Sequence, residues 1–338
     1  MLKNQGEFMF TNKKYIVSLT MAAILLGSML ITACGGADSA AAGEMETLKY
    51  GGQLYPEEYL LKGQDFWSGY GLTVEHTLFS SGGENNQALI SGAIDVNIGS
   101  DSKSVALFNA MGEDVVIIGA SQRGDRYSTM VSPDSGITSW YDMVGETVGI
   151  RLGTGAEQVV RRYLDSVDDL AWEDFNWVDL NVEDMAAALA DGSIASFTAW
   201  EPTPAIAEAT TGAVVMMSYG EIALTPVLLH TTKEYAAEHH DELVAFLKGH
   251  LDKVAMIQND VDEAARIAAE AASAAGSDVS AEVFKAIFER VDFSLEVDDD
   301  VIASLNDTAQ FLKDQGKVDT IPEFIVDTSF LEEAMQSK

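Results

Sequence analysis

The sequence predicts an α/β protein of two like-patterned units followed by an all-helical C-terminal region. Three observations predict it. Short apolar strands alternate with amphipathic helices from residue 48 to 120, the same alternation returns from 147 to 218, and beyond His230 the apolar residues recur only at helical spacing. Such alternation argues for a parallel or mixed sheet with helices on both faces.

The first unit opens with a short strand at 48–51, ending in Gly51-Gly52, and a helix at 56–67 headed by Pro56. Residues 72–79 alternate as a strand does, with Leu72, Val74, His76 and Leu78 on one side. A helix at 84–91, a strand at 94–99 and a helix at 102–111 closed by Gly112 come next. Residues 115–120 form an unbroken apolar run suited to a buried parallel strand. The second unit has strands at 147–150, 176–180, 195–199 and 214–218, with helices at 156–165 and 185–190. No sequence repeat relates the units; the likeness is of pattern. From 233 to 260, Leu243, Phe246, Leu247, Leu251, Val254 and Ile257 keep helical period. An Ala-rich helix at 261–275 and helices at 280–290, 301–315 and 328–335 follow, expected to pack on the lobes as struts.

The N-terminus reads as an address. Lys13-Lys14 precede an apolar run from Tyr15 to Ile31, then Thr32-Ala33-Cys34-Gly35-Gly36. A positive region, an apolar region and small residues at a cleavage point make a signal peptide over 1–33, with Met9 an alternative start. A Gly/Ala/Ser-rich tether covers 34–47. Cys34 is the one cysteine, so neither an internal disulfide nor a cysteine metal site is expected.

Charge narrows the partners. The chain of 338 residues has 54 acidic and 20 basic side chains, a net charge of −34. A nucleic-acid partner is excluded, because phosphate binding needs a positive field. No His-Glu-x-x-His, P-loop, Gly-x-Ser-x-Gly elbow or metal-spaced histidine cluster occurs, and His239 and His240 point different ways on a helix. Hence no catalytic residue, metal or cofactor is expected, and the chain is read as a binder of a small molecule rather than an enzyme.

A ligand of an open α/β sheet sits beyond the carboxyl ends of the strands, where helix N-termini offer free N–H groups. Three small-residue loops stand at such points: Ser80-Ser81-Gly82-Gly83, Gly99-Ser100-Asp101-Ser102 and Gly153-Thr154-Gly155. Each alone is also an ordinary helix cap; three across two units point to a shared cleft. Arg123, Arg126 and Arg151 fall near its edge. One of Arg123 and Arg126, with Arg123 taken as the site residue, is the candidate to clamp an oxyanion through its planar guanidinium, with a salt bridge to Asp125, Glu157 or another acid the competing use of each. Tyr55 and Trp200 are candidates to wall the cleft or to pack in a core, and Glu201, before Pro202, to hold an ammonium or cap a helix.

Together these stretches resemble the solute-binding proteins of the aliphatic sulfonate, taurine and nitrate transport group, which includes thiamine-precursor binders. The resemblance is carried by residues 89–96 (LISGAIDV), 116–127 (VIIGASQRGDRY), 140–155 with Trp140 through Gly155, 185–202 ending in Trp200-Glu201-Pro202, and the late 311–316. It implies the type II periplasmic-binding-protein fold, two lobes with two crossing strands as hinge. Lobe 1 would be 48–125 with 224–338, and lobe 2 126–223. Residues 31–34 (ITAC) resemble the bacterial lipoprotein box, which implies a fatty-acyl anchor (diacylglycerol, palmitate) on Cys34 and a place on the outer face of the cytoplasmic membrane. The implied partners are a small-molecule ligand and an ABC permease with its ATPase, the chain itself being a monomer. An alkanesulfonate, taurine or nitrate is the first ligand class. A thiamine-precursor-like pyrimidine or other heterocycle is the second. Residues 51–56 (GGQLYP) depart from a taurine binder's pattern, and the pyrimidine binders' Cys-rich segment is absent. A sensor subunit without transport would share the fold.

Overall fold

The structure is a computed structural model that describes residues 47–338. The expected signal peptide, Cys34 and the tether up to residue 46 lie outside the described residues. Among the described residues no helix is long and apolar enough to cross a membrane.

Two five-stranded mixed sheets organise the chain. The first holds β1 (Leu48–Gln53), β2 (Val74–Phe79), β3 (Val96–Ser100), β4 (Val115–Gln122) and β10 (Val227–Thr232) in the order β2-β1-β3-β10-β4. Strands β5 (Tyr127–Val131), β6 (Thr147–Ile150), β7 (Asn176–Asp179), β8 (Ser196–Trp200) and β9 (Val214–Ser218) form the second, in the order β7-β6-β8-β5-β9. In each, three strands run parallel and one antiparallel strand joins them to the edge. The antiparallel strands β5 and β10 are absent from the pattern reading of the sequence, and helix α6 (Thr203–Thr211) entered it only as a helix that Glu201 could cap. All five β5 residues are buried, so β5 lacks the polar alternation that marks a half-exposed strand.

Helices α1 (Pro56–Gly63), α2 (Gly82–Ile90) and α3 (Asp101–Met111) connect the strands of the first sheet, and α4 (Gly155–Asp165) and α5 (Val182–Ala190) those of the second. The α-helical tail is α7 (Lys233–Glu238), α8 (His240–Asn259), α9 (Val261–Ala274), α10 (Ala281–Arg290), α11 (Asp299–Asp314) and α12 (Ser329–Gln336). The helical period from 233 to 260 is broken at His239, whose backbone (φ −125, ψ 48) separates α7 from α8. The tail serves both sheets. Helices α8, α9, α10 and α12 share one apolar core with β1, β3 and α1, built on Tyr50, Trp67, Phe246 and Phe284. Helix α10 also packs on α6, where Arg290 binds Glu201 at 2.5 Å and Glu208 at 2.6 Å.

Two segments cross between the sheets, 123–126 and 219–226. They are bonded to one another: Gly124 N–H donates to the Leu224 carbonyl at 2.8 Å and Gly220 N–H to the Asp125 carboxylate at 2.8 Å. Helix α11 ties the lobes at a third point. Gln158 of α4 donates to the Thr308 hydroxyl at 2.7 Å, and Thr308 donates to the Asp101 carboxylate at 2.7 Å.

Candidate ligand-binding site

A cavity of about 140 Å3 lies where the crossing segments meet the strand ends of both sheets. Gln53 and Tyr55 line it from the end of β1, and Ser100, Ser102 and Lys103 from the start of α3. The second sheet contributes Gly153, Thr154 and Gly155 before α4, and Trp200 at the end of β8. Arg126 closes it from the first crossing segment and Tyr127 from the start of β5.

Local chemistry explains the two helix starts. Asp101 N–H donates to the Pro226 carbonyl at 2.9 Å, and the Asp101 carboxylate accepts Ser102 N–H at 2.7 Å, which fixes α3 against the second crossing segment. At α4, Thr154 accepts Ala156 N–H and donates to the Arg151 carbonyl at 2.6 Å. Gly153 adopts φ +76, a region that side chains disfavour, and its N–H donates to Glu157 at 2.6 Å. A Cβ on Gly155 would stand 2.2 Å from the Tyr127 hydroxyl, so only glycine lets that phenol approach the start of α4.

Arg126 is the chemical centre. It is only 2% exposed. Its Nε donates to Gln122 Oε1 at 2.7 Å and its Nη1 to the Thr225 carbonyl, a side-chain amide and a backbone group rather than a carboxylate. The rings of Tyr55 and Tyr127 lie 5.6 and 5.5 Å from its guanidinium carbon, within cation–π range. Behind it, Gln122 Nε2 donates to both Glu57 oxygens at 2.7 and 2.9 Å, and Ser121 donates to the same carboxylate at 3.0 Å. Burial pushes the Glu57 carboxyl up to about 7, against the pull of Lys253. Acid, amide and guanidinium thus form one buried chain that holds Arg126 with its charge unneutralised by a contact ion pair. Among the described residues, the charged ones on the lining are Arg126 and Lys103, both basic.

Of the residues singled out from the sequence, the structure gathers Tyr55, Ser100, Gly153, Thr154, Gly155 and Trp200 on this cavity. Six others lie elsewhere, each for a stated reason. Arg123 turns away and bonds Asp292 at 2.9 Å and Asp298 at 2.6 Å, so of the two arginines it is Arg126 that reaches the cavity. Asp101 faces Thr308 instead of the cavity, and burial raises its pKa. Glu201, 3% exposed, is held by Arg290 and by Ala205 N–H at 3.2 Å. Burial pushes that carboxyl up to about 7, opposed by Arg290. Ser80 donates to Glu84 at 2.7 Å, and Ser81 caps α2 by accepting Glu84 N–H at 3.3 Å. Gly82 therefore starts a helix whose N-terminus already has its own acid. Cys34 lies outside the described residues.

Ser102, which stood in one of the three small-residue loops, also lines the cavity, whereas Gln53, Lys103 and Tyr127 were not legible as site residues. Lys103 carried a signal: it is a cation in the first turn of α3, where the helix dipole disfavours positive charge, and a broken local rule often marks a functional position.

Two α/β lobes, two crossing segments and a cavity between them at helix N-termini define the periplasmic-binding-protein class, type II. Within it, the family described as NMT1/THI5 like matches residues 58–264, more than half of the chain, and the chain belongs to that family. A protein of Bacillus subtilis (strain 168), assigned by inference to aliphatic sulfonate binding, is 24% identical over 278 residues, 81% of this chain and 82% of its own. The periplasmic aliphatic sulphonate binding protein SsuA from Escherichia coli superposes with a TM-score of 0.72 at 20% identity, covering 82% of this chain and 90% of that one. The desulfurization enzyme DSZB shares the fold at a TM-score of 0.64 and 16% identity, covering 86% and 99%.

Proposed function

We propose that the protein is the extracytoplasmic, lipid-anchored binding component of an ABC importer. It captures a small oxyanion, such as an alkanesulfonate, taurine or nitrate, between its lobes and delivers it to the permease. One observation carries the reading. In a chain with 54 acids against 20 bases, the inter-lobe cavity is lined by two bases and no acid, and two helix N-termini open onto it. The names of the sulfonate-binding relatives agree with it, and no proton-transfer or nucleophilic role is assigned to any lining residue.

The ligand also acts on the hinge. Arg126 belongs to one crossing segment and bonds Thr225 of the other, so an anion on its guanidinium touches both connections at once. A ligand that bridges the lobes favours the closed arrangement by its differential affinity for it. A cationic heterocycle is the weaker reading, because Asp101 and Glu201, the acids that would have held it, are committed to Thr308 and Arg290.

Calorimetric titration of the purified protein with methanesulfonate, taurine and nitrate tests the proposal. At least one is expected to bind, and Arg126→Ala is expected to weaken it about 10- to 100-fold, the worth of a charge-assisted hydrogen bond. Binding of a pyrimidine with none of the anions bound would sink the anion reading.

A further inference from the structure

The loop at the start of α3 turns one residue inward. Ser100, Ser102 and Lys103 line the basic cavity, yet Asp101 among them is 2% exposed and faces Thr308 of α11. Thr308 is wholly buried, and its hydroxyl donates to the Asp101 carboxylate at 2.7 Å. Asp101 stays electrically close to the site all the same. Burial raises its pKa, and the bonds from Thr308 and Ser102 and the charges of Arg126 and Arg162 oppose that rise. Its own charge reaches the phenols of Tyr55 and Tyr127, both on the lining. Neither arginine makes a contact ion pair among the described residues: Arg126 bonds Gln122 and Thr225, and Arg162 bonds Thr308 at 3.3 Å.

Lobe 2 completes the hold on Asp101. A hydroxyl offers one proton and two acceptor positions. Gln158 Nε2 donates to Thr308 Oγ1 at 2.7 Å and Arg162 Nη2 at 3.3 Å, both from α4. The acceptor positions are therefore taken by lobe 2, and the proton is left for Asp101.

From these contacts we infer that Thr308 is a specificity-determining residue of the anion site: it holds Asp101 off Arg126 and so keeps the guanidinium open to a ligand, and Gln158 completes that hold where lobe 2 rests on α11. The inference rests on the oxyanion reading of the cavity. Its physical basis is competition. A buried carboxylate that loses its donor turns to a nearby cation, because leaving it unpaired costs more than the rearrangement. Asp101 on Arg126 takes the guanidinium N–H groups that an oxyanion needs. Thr308 lines no part of the cavity, so its effect on the ligand passes through Asp101.

The test is calorimetric titration with methanesulfonate, taurine and nitrate of wild type, Thr308→Val, Thr308→Ser, Gln158→Leu, Asp101→Asn and the double variant Thr308→Val/Asp101→Asn. Thr308→Val keeps the side chain's shape and removes its hydroxyl. It is expected to weaken the anion that wild type binds by about tenfold or more, the worth of a charge-assisted hydrogen bond. Thr308→Ser, which restores the donor, is expected to recover most of that loss, and Gln158→Leu to fall between the two. The deciding comparison is the double variant. With the carboxylate gone, it is expected to match Asp101→Asn alone to within about twofold. Melting midpoints within about 5 °C of wild type show that the variants fold. If Thr308→Val does not fold, Gln158→Leu with and without Asp101→Asn makes the same comparison. A loss of affinity that is equal with aspartate or asparagine at position 101 assigns Thr308 a packing role and overturns the inference. Wild-type affinity in Thr308→Val overturns it as well, and both results leave the oxyanion reading standing. Binding of none of the anions by wild type would overturn both readings together.

Discussion

The two lobes share one strand arrangement and differ in what fills them. β2-β1-β3-β10-β4 and β7-β6-β8-β5-β9 are the same topology, with β10 and β5 in equivalent antiparallel places. Lobe 1 nevertheless buries charge. Tyr50 donates to Glu58 at 2.7 Å, His76 lies 2.8 Å from the same carboxylate, and Glu57, His250 and Lys253 are wholly buried nearby. Lobe 2 is aromatic, with Trp140 edge-on to Phe175 and Trp172 stacked on Trp177 at 3.9 Å. Its buried hydroxyls meet one another, as where Tyr219 meets Thr129 at 2.6 Å and accepts from Trp140 at 3.2 Å, and its buried acids, Glu157 and Glu201, are paired with Arg161 and Arg290. Topology therefore sets where the cleft lies. The interior sets what each wall does: lobe 1 braces a bare cation, and lobe 2 presents a helix start and the Trp200 ring.

The largest effect that would break this comparison concerns Glu57. Glu57→Ala removes the acceptor of Ser121 and Gln122 and the acid that draws on Lys253, and is expected to cost about 3 kcal/mol in denaturant unfolding. Tyr219→Phe removes one neutral hydroxyl from lobe 2 and is expected to cost about 1 kcal/mol. Equal costs would mean that the two interiors do the same work.

The next effect is a pH dependence from buried histidine, which residues 127–218 cannot supply because they hold none. His230 is buried between Asn97 at 3.0 Å and Ser104 at 2.9 Å, against the Phe108 ring, and burial lowers its pKa to about 3. The unfolded chain takes up this proton near 6.5 and the folded one does not. The contribution is full above 6.5 and lost as pH falls toward 3, about 2 kcal/mol of it by pH 5. Glu57 and Glu201, with pKa values raised to about 7, work in the opposite sense, since their protonation favours the folded state as pH falls from 7 toward 4.5. The readout is therefore the stability difference between wild type and His230→Asn. It is expected to move by about 2 kcal/mol against wild type between pH 7 and 5, while the difference for Tyr219→Phe stays flat.

The smallest effect is that of Arg123→Ala. It breaks ion pairs to two exposed acids and is expected to cost no more than about 1 kcal/mol, with ligand affinity unchanged. A loss of affinity matching that of Arg126→Ala would return the clamp to Arg123.

Those two arginines show where sequence reading stops. The alternation of strands and helices is visible because apolar residues are periodic, and β6 and β9 were placed to the residue. Arg123 and Arg126 carry the same chemistry three positions apart. A turn at Gly124, φ +83, sends one to Asp292 and the other into the cleft, and no side-chain pattern encodes that turn's direction. The loops before α3 and α4 could be recognised as small-residue caps after strands. The loop before α2 looks the same, yet Glu84 occupies its helix end, a contact set by local packing. Helix α11 was legible as a helix, but not as the element that holds Asp101 away from the cavity, because Thr308 lies 207 residues away.

The place of β10 has a consequence in time. Once the chain as far as Ser218 is present, every strand of the second sheet is available within one continuous stretch of chain. The first sheet is not, because β4 joins it only through β10, which ends at Thr232 on the far side of the whole second sheet. Lobe 1 starts before lobe 2 along the chain and is completed after it, so the wall that carries Arg126's brace can close only when every strand of lobe 2 is present.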